Sequence, residues 1–202
     1  MLSEQEIARI KREVEMYRGL DISSYINEMM PWMKPIYYTI KRASQILEDF
    51  TSYALISDYA VNLYGIPYWS KKIKFAVKNF ELERFTDNLD KSGFRKLTGS
   101  NDCLTLIDLQ MNNLLTICKE PYPLRWDDEM VERIIKTPIN VKVLSPEDYI
   151  VFLVKSDSLL QVDLAAKILY LKSDILDRDY LLRRARKYDV EREISDLIER
   201  LC

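Results

Sequence analysis

Lys72 and Lys74 stand two residues apart in the run 71–77, KKIKFAV, whose alternation is that of a β-strand with one buried face. Ile73, Phe75 and Val77 share one side of that strand, and Lys72, Lys74 and Ala76 share the other. Two ammonium groups projecting the same way suit phosphate oxygens and repel a divalent cation. Other chemistry is closely bounded. The chain has no histidine, which excludes His-based catalytic triads and His-ligated metals. Its three cysteines, Cys103, Cys118 and Cys202, form no CxxC pair and are odd in number, so neither a disulfide framework nor a zinc site is expected. Asp108 closes the apolar run 103–109, CLTLIDL, as an isolated carboxylate at a strand end. The basic run from Arg183 to Lys187 reads either as a contact to a nucleic-acid backbone or as a solvated helix face complementing its dipole.

The elements that must position these residues follow from period and punctuation. Ser3 caps a helix reaching about Tyr17, with Ile7, Ile10, Val14 and Tyr17 in one stripe, and Gly19 ends it. A short helix near Asp21 is broken by Pro31 and Pro35, and a longer one carries Ile36, Ile40, Ala43, Leu47 and Phe50 on one face. Strands are expected at 53–56, 71–77, 103–109 and 139–143. Between them, helices are expected at 58–64, 80–91 and 126–135. From the SPED start at Ser145 onward the chain is helical, with Asp189 as the cap of the last helix. Helices, then a mixed block, then helices predict an α+β fold with a small mixed sheet of four to five strands.

The chain has 202 residues with 48% hydrophobic content, enough for one domain with its own core. Thirty basic and 32 acidic residues are well mixed, leaving a net charge of -2 and no general attraction to DNA. No apolar run approaches the roughly 20 residues of a membrane helix, and the charged start is not a signal peptide, so the expected location is the cytoplasm, with no membrane partner.

The segment 54–77, ALISDYAVNLYGIPYWSKKIKFAV, resembles the opening of the nucleotidyltransferase-like proteins of prokaryotic abortive-infection and toxin systems. That family carries an apolar strand, a Gly-Gly or Gly-Ser turn, a helix ending near Tyr-Gly, and a second strand with two aspartates. Ala54, Ala60, Asn62, Tyr64, Gly65, Ser70, Ile73, Phe75 and Val77 fit the frame. The resemblance continues through 89–95, 104–110, 141–152, 161–169 and 176–194, and so covers about residues 50–200. It implies a polymerase-beta-like core over 51–144, a helical C-terminal part over 145–202, and an unmatched helical extension over 1–50.

The resemblance also implies a metal site, whose polar positions have changed here. The two aspartates correspond to Lys72 and Lys74, and only Asp108 matches the third. An ammonium about 6 Å from a divalent ion is repelled by roughly 5 kcal/mol at an effective dielectric near 20. The glycine turn is Ser57 and Asp58, the family arginine falls on Tyr68 beside Trp69, the paired helical aspartates on Asp163 and Ala166, and a lysine on Leu153. The expectation is a pseudoenzyme without a cofactor. It would act as a binding or interaction module, with Ser57, Ser70, Lys72 and Lys74 as nucleotide-binding candidates and Asp108 as the surviving family position. The ligand is a nucleotide, a nucleic acid or a partner protein. The N-terminal helices, with the apolar residues Met29, Met30, Trp32, Met33, Ile36, Tyr37 and Tyr38, are the candidate surface for a partner or for self-association. The alternative is an active transferase requiring Mg²⁺, held by Asp58, Asp108 and a further carboxylate.

Overall fold

The structure is a computed structural model and describes residues 2–20, 24, 28, 33–48, 52–79 and 89–202. Its first helix, α1 (Glu4–Glu15), starts on a capping box: the Ser3 hydroxyl accepts from the Glu6 amide, and the Glu6 carboxylate accepts from the Ser3 amide. Ile7, Ile10 and Val14 turn inward, as their spacing predicts. Pro35 lies in the first turn of α2 (Lys34–Glu48), where a missing amide costs nothing. Met33 and Ile36 are buried rather than presented to a partner, while Tyr38 is exposed. Met29, Met30, Trp32, Phe50 and the break at Pro31 lie outside the described residues.

Among the described residues the sheet is mixed and has seven strands, against an expectation of four to five. They are β1 (Tyr53–Leu55), β2 (Ile73–Val77), β3 (Phe94–Gly99), β4 (Cys103–Asp108), β5 (Asn113–Cys118), β6 (Ile135–Lys136) and β7 (Lys142–Val143), in the spatial order β3-β4-β5-β2-β1-β7-β6. β3, β5 and β6 have no counterpart among the expected strands; β3 and β6 are edge strands whose residues are largely exposed and show no apolar alternation. β2 runs antiparallel to β1 and parallel to β5. Between β1 and β2, the short α3 (Ala60–Leu63) stops at Gly65. There φ is +102°, and an added Cβ would meet the Leu171 side chain at 3.2 Å.

β4 and β5 form a hairpin in which Cys103 lies directly opposite Cys118, and the two are joined in a disulfide. This corrects the expectation of no disulfide: fifteen residues of separation say nothing until strand register closes the hairpin. The remaining helices are α4 (Asp128–Glu132), α5 (Pro146–Lys155), α6 (Leu159–Lys172), α7 (Arg178–Lys187) and α8 (Glu191–Leu201). Ser145 and Asp127 cap α5 and α4 through their side chains. Asp189 does not cap α8. It takes a left-handed φ of 57° after α7, and Val190 stands at the α8 N-cap without a side-chain bond.

The helices cover the sheet from two sides. Thr39 and Arg42 of α2 both bond Asp108 at the end of β4, placing α2 over the face that carries Leu104, Leu106, Leu115 and Ile117. On the opposite face, α5 and α6 approach β2 and leave an opening. α1 is tied to the C-terminal helices. Arg9 bonds Asp163, Lys167 reaches Glu13 at 2.6 Å, and Arg200 donates to the Leu2 carbonyl.

Candidate ligand-binding cleft

The opening between β2, β5 and the C-terminal end of α5 is a cleft of about 680 Å³. Lys74 projects into it from β2, Lys72 from the residue just before that strand, and Leu114 and Thr116 from β5. Register explains the company they keep. Lys74 lies beside Thr116, and Thr116 beside Thr105, so these three side chains share one face of the sheet. Ser57 and Asp58 enter from the turn after β1, Tyr122 and Pro123 from the loop after β5, and Lys155 and Ser156 from the end of α5.

The turn that presents Ser57 is held from below. The Tyr149 hydroxyl donates to the Ser57 carbonyl at 2.8 Å, and the Ile56 amide donates to the Lys74 carbonyl at 2.8 Å. The Ser57 Oγ is buried and has no hydrogen-bond partner among the described residues, a costly state that an incoming acceptor or donor would relieve. Asn62 organises the approach to β2. Its amide side chain donates to the carbonyls of Tyr59 and Tyr68 and accepts from the Tyr68 amide. Ser70 is buried, and its hydroxyl accepts from the Lys72 amide at 3.1 Å, which makes it a shaper of the strand entry rather than a lining group. Tyr68 and Trp69 do not seal the cleft; Trp69 is exposed, with the Lys71 ammonium over its ring at 5.4 Å.

The cleft is strongly cationic. Among the described residues, Lys71, Lys72, Lys74 and Lys155 line it against a single carboxylate, Asp58, whose Oδ2 is 3.9 Å from the Lys72 Nζ. Lys72 is mostly solvent-exposed there, so that pair is worth little. Lys74 is half-buried on the central strand, and burial lowers its ammonium below the ordinary lysine range. Sequence reasoning missed Lys155. The family lysine position falls on Leu153, which is fully buried, whereas Lys155 sits one helical turn after Phe152 on the face that meets the cleft.

Asp108 is not brought to this site. It stands three residues beyond Thr105 on an unbulged strand pair, so the pleat turns it to the other face. There it is fully buried, accepting from the Thr39 hydroxyl at 2.8 Å, from Arg42, and from the Gln110 and Met111 amides. Burial opposes its ionisation, but these donors outweigh burial and hold the carboxyl below the usual range. Asp58 and Asp108 therefore do not share a site. Among the described residues no group of three Asp, Glu, His or Cys side chains is arranged to hold a metal ion, and the donor set of the cleft does not fit Mg²⁺.

The other sequence candidates are committed elsewhere. Asp163 pairs with Arg9 and Lys167 at the contact of α6 with α1, and Ala166 is core. The basic run of α7 is spent on ion pairs: Arg183 with Glu129, Arg184 with Asp127 and Asp148, Arg186 with Glu191, and Lys187 with Asp127. Arg184 is buried inside the protein, while Arg183, Arg186 and Lys187 form an exposed helix face whose cations are paired with acids.

The fold is α+β around one mixed sheet. No family model matches the chain, and no curated protein does either. Among solved structures it is similar to the solution structure of the antibiotic-resistance factor ANT(2'')-Ia, at 10% identity and a TM-score of 0.47, over 79% of this chain and 100% of that one. It is also similar to JHP933 from Helicobacter pylori, at 10% identity and a TM-score of 0.43, over 98% of this chain and 79% of that one. Likenesses this loose carry no functional argument.

Proposed function

We propose that this chain is a nucleotidyltransferase-like protein that has left metal-dependent transfer and binds a phosphorylated ligand, such as a nucleotide, directly on lysine side chains. The observation that carries this reading is the polar content of the cleft. Lys72 and Lys74 stand where the resemblance implies two carboxylates, Thr116 lies beside Lys74, and Lys71 and Lys155 add to the same charge. Ammonium groups meet phosphate oxygens without an intervening metal, and the unpartnered Ser57 hydroxyl supplies a further bond. Asp58 would repel phosphate in isolation, but the four lysines lining the cleft outnumber it. A nucleic-acid strand is the less favoured ligand, because the basic residues of α7 are already paired with acids.

Calorimetry with tripolyphosphate and with ATP, in chelator, tests the reading. Binding is expected without Mg²⁺, with the Lys72→Ala/Lys74→Ala double variant weakened about 100-fold, the loss of two charge-assisted contacts. Binding that requires Mg²⁺ or ignores the double substitution would overturn the proposal. So would transfer of label from a nucleoside triphosphate in Mg²⁺ or Mn²⁺.

A further inference from the structure

We propose that Lys74 is a nucleophilic amine that captures phosphate-bearing aldehydes in the cleft as an imine. The inference rests on the phosphate-binding reading and adds a covalent step to it. Lysines are common; a lysine in this setting is not. Lys74 sits on a strand paired on both sides, half-buried, with Thr116 beside it and no ion-pair partner among the described residues. Asp58, the one carboxylate lining the cleft among the described residues, lies against Lys72 instead.

The charged and titratable groups around Lys74 act together. Lys71 and Lys72 precede it on the chain, Lys155 faces the cleft from α5, Asp58 comes from the turn after β1, and Tyr122 from the loop after β5. Burial lowers the Lys74 ammonium below the ordinary lysine range. An amine that is neutral for more of its time is a better nucleophile toward a carbonyl carbon. The surrounding lysines and the buried, unpartnered Ser57 hydroxyl would hold the phosphate of the same molecule. A cleft of about 680 Å³ admits a small phosphorylated aldehyde.

The step balances without an oxidant or reductant. The Nζ lone pair of Lys74 attacks the aldehyde carbon and forms the C–N bond, while the carbonyl π pair moves to oxygen and takes up a proton. The nitrogen then releases a proton to solvent. The resulting carbinolamine hydroxyl takes a proton from solvent and leaves as water while the nitrogen pair closes the C=N bond, and the protonated imine so formed can return that proton to solvent.

Pyridoxal phosphate is a suitable probe, trapped with borohydride and located by peptide mass mapping on the intact chain. Label is expected on Lys74 ahead of Lys71, Lys72 and Lys155, and about tenfold more slowly with pyridoxal, which lacks the phosphate anchor. Tripolyphosphate should suppress it, and Lys74→Arg should remove it. Labelling should also set in at lower pH than for Nα-acetyl-lysine treated alongside. Label spread evenly over surface lysines, or absent from Lys74, overturns the imine. Equal labelling by pyridoxal overturns the phosphate requirement. Tripolyphosphate binding measured in parallel separates the two readings: if it persists while Lys74 stays unlabelled, only the covalent step fails. Should Lys74→Arg not fold by circular dichroism, the map of the unsubstituted chain decides.

Discussion

Asp108 and Lys74 lie on strands of one sheet, yet the pleat assigns them different work. A carboxylate sealed between β4 and α2 is a fastener, with Thr39, Arg42 and two backbone amides as its partners. Removing it leaves those donors unmatched in a dry place. Asp108→Asn is expected to cost about 2 kcal/mol in urea denaturation and to leave tripolyphosphate affinity unchanged. A loss of affinity with unchanged stability would return Asp108 to the ligand site. The direction of the lysine pair was legible in the sequence, because strand alternation is a local property that KKIKFAV displays by itself. The face on which Asp108 lies was not. It depends on where β4 pairs with β5 and on which side α2 settles, and neither leaves a mark on the residues near 108. The same holds for Lys155, whose role follows from the rotation of α5 about its axis against the sheet.

At the scale of elements, α1 illustrates how far a strong local signal carries. Its capping box and inward stripe are written in Ser3, Glu6, Ile7, Ile10 and Val14, and the helix forms where they say. Its docking is written elsewhere. Asp163 and Lys167 on α6 and Arg200 on α8 receive it, so the N-terminal segment is integrated with the C-terminal helices rather than lying apart. Ile10 is fully buried in that contact, and Ile10→Ala is expected to cost about 3 kcal/mol, read as a fall in denaturation midpoint. An unchanged midpoint would mean that α1 is dispensable to the core. Strand pairing was read less well than helices. β1, β2 and β4 announce themselves as apolar runs, while the exposed edge strand β3, FRKLTG, has no buried face to impose a period.

Over the whole molecule, the buried charges join parts that are distant in the chain. Asp127 caps α4 and bonds Arg184 and Lys187 of α7, while Asp148 of α5 meets the Arg184 Nε at 2.7 Å and accepts from the Tyr180 hydroxyl at 2.8 Å. Burial opposes ionisation of Asp127, but Arg184, Lys187 and the Met130 amide overcome it and lower the carboxyl to about 2. A folded-state value below the unfolded 3.8 contributes stability that is present above 3.8 and is lost as pH falls toward about 2. Partial exposure of the carboxylate reduces that contribution to about 1 kcal/mol. Burial raises the Asp148 carboxyl, so its contribution has the opposite sign, falling as pH rises above the unfolded value. Comparing the intact chain with Asp127→Asn isolates the first effect: the stability gap between them should narrow between pH 3.8 and about 2. A gap that stays constant over that window would show that Asp127 titrates normally. By itself the sequence determined α1, α2 and the helices from Ser145 onward, the lysine-bearing strand, the absence of histidine chemistry and the mixed fold class, because these rest on residue type and short-range period; the helices expected near Asp21 and over most of 80–91 lie outside the described residues. Tertiary structure alone decided that Lys155 joins Lys72 and Lys74, that Asp108 does not, that Cys103 meets Cys118, and that Arg184 is interior. Each of those depends on register or helix rotation between segments far apart in the chain, and short-range patterns carry no information about either.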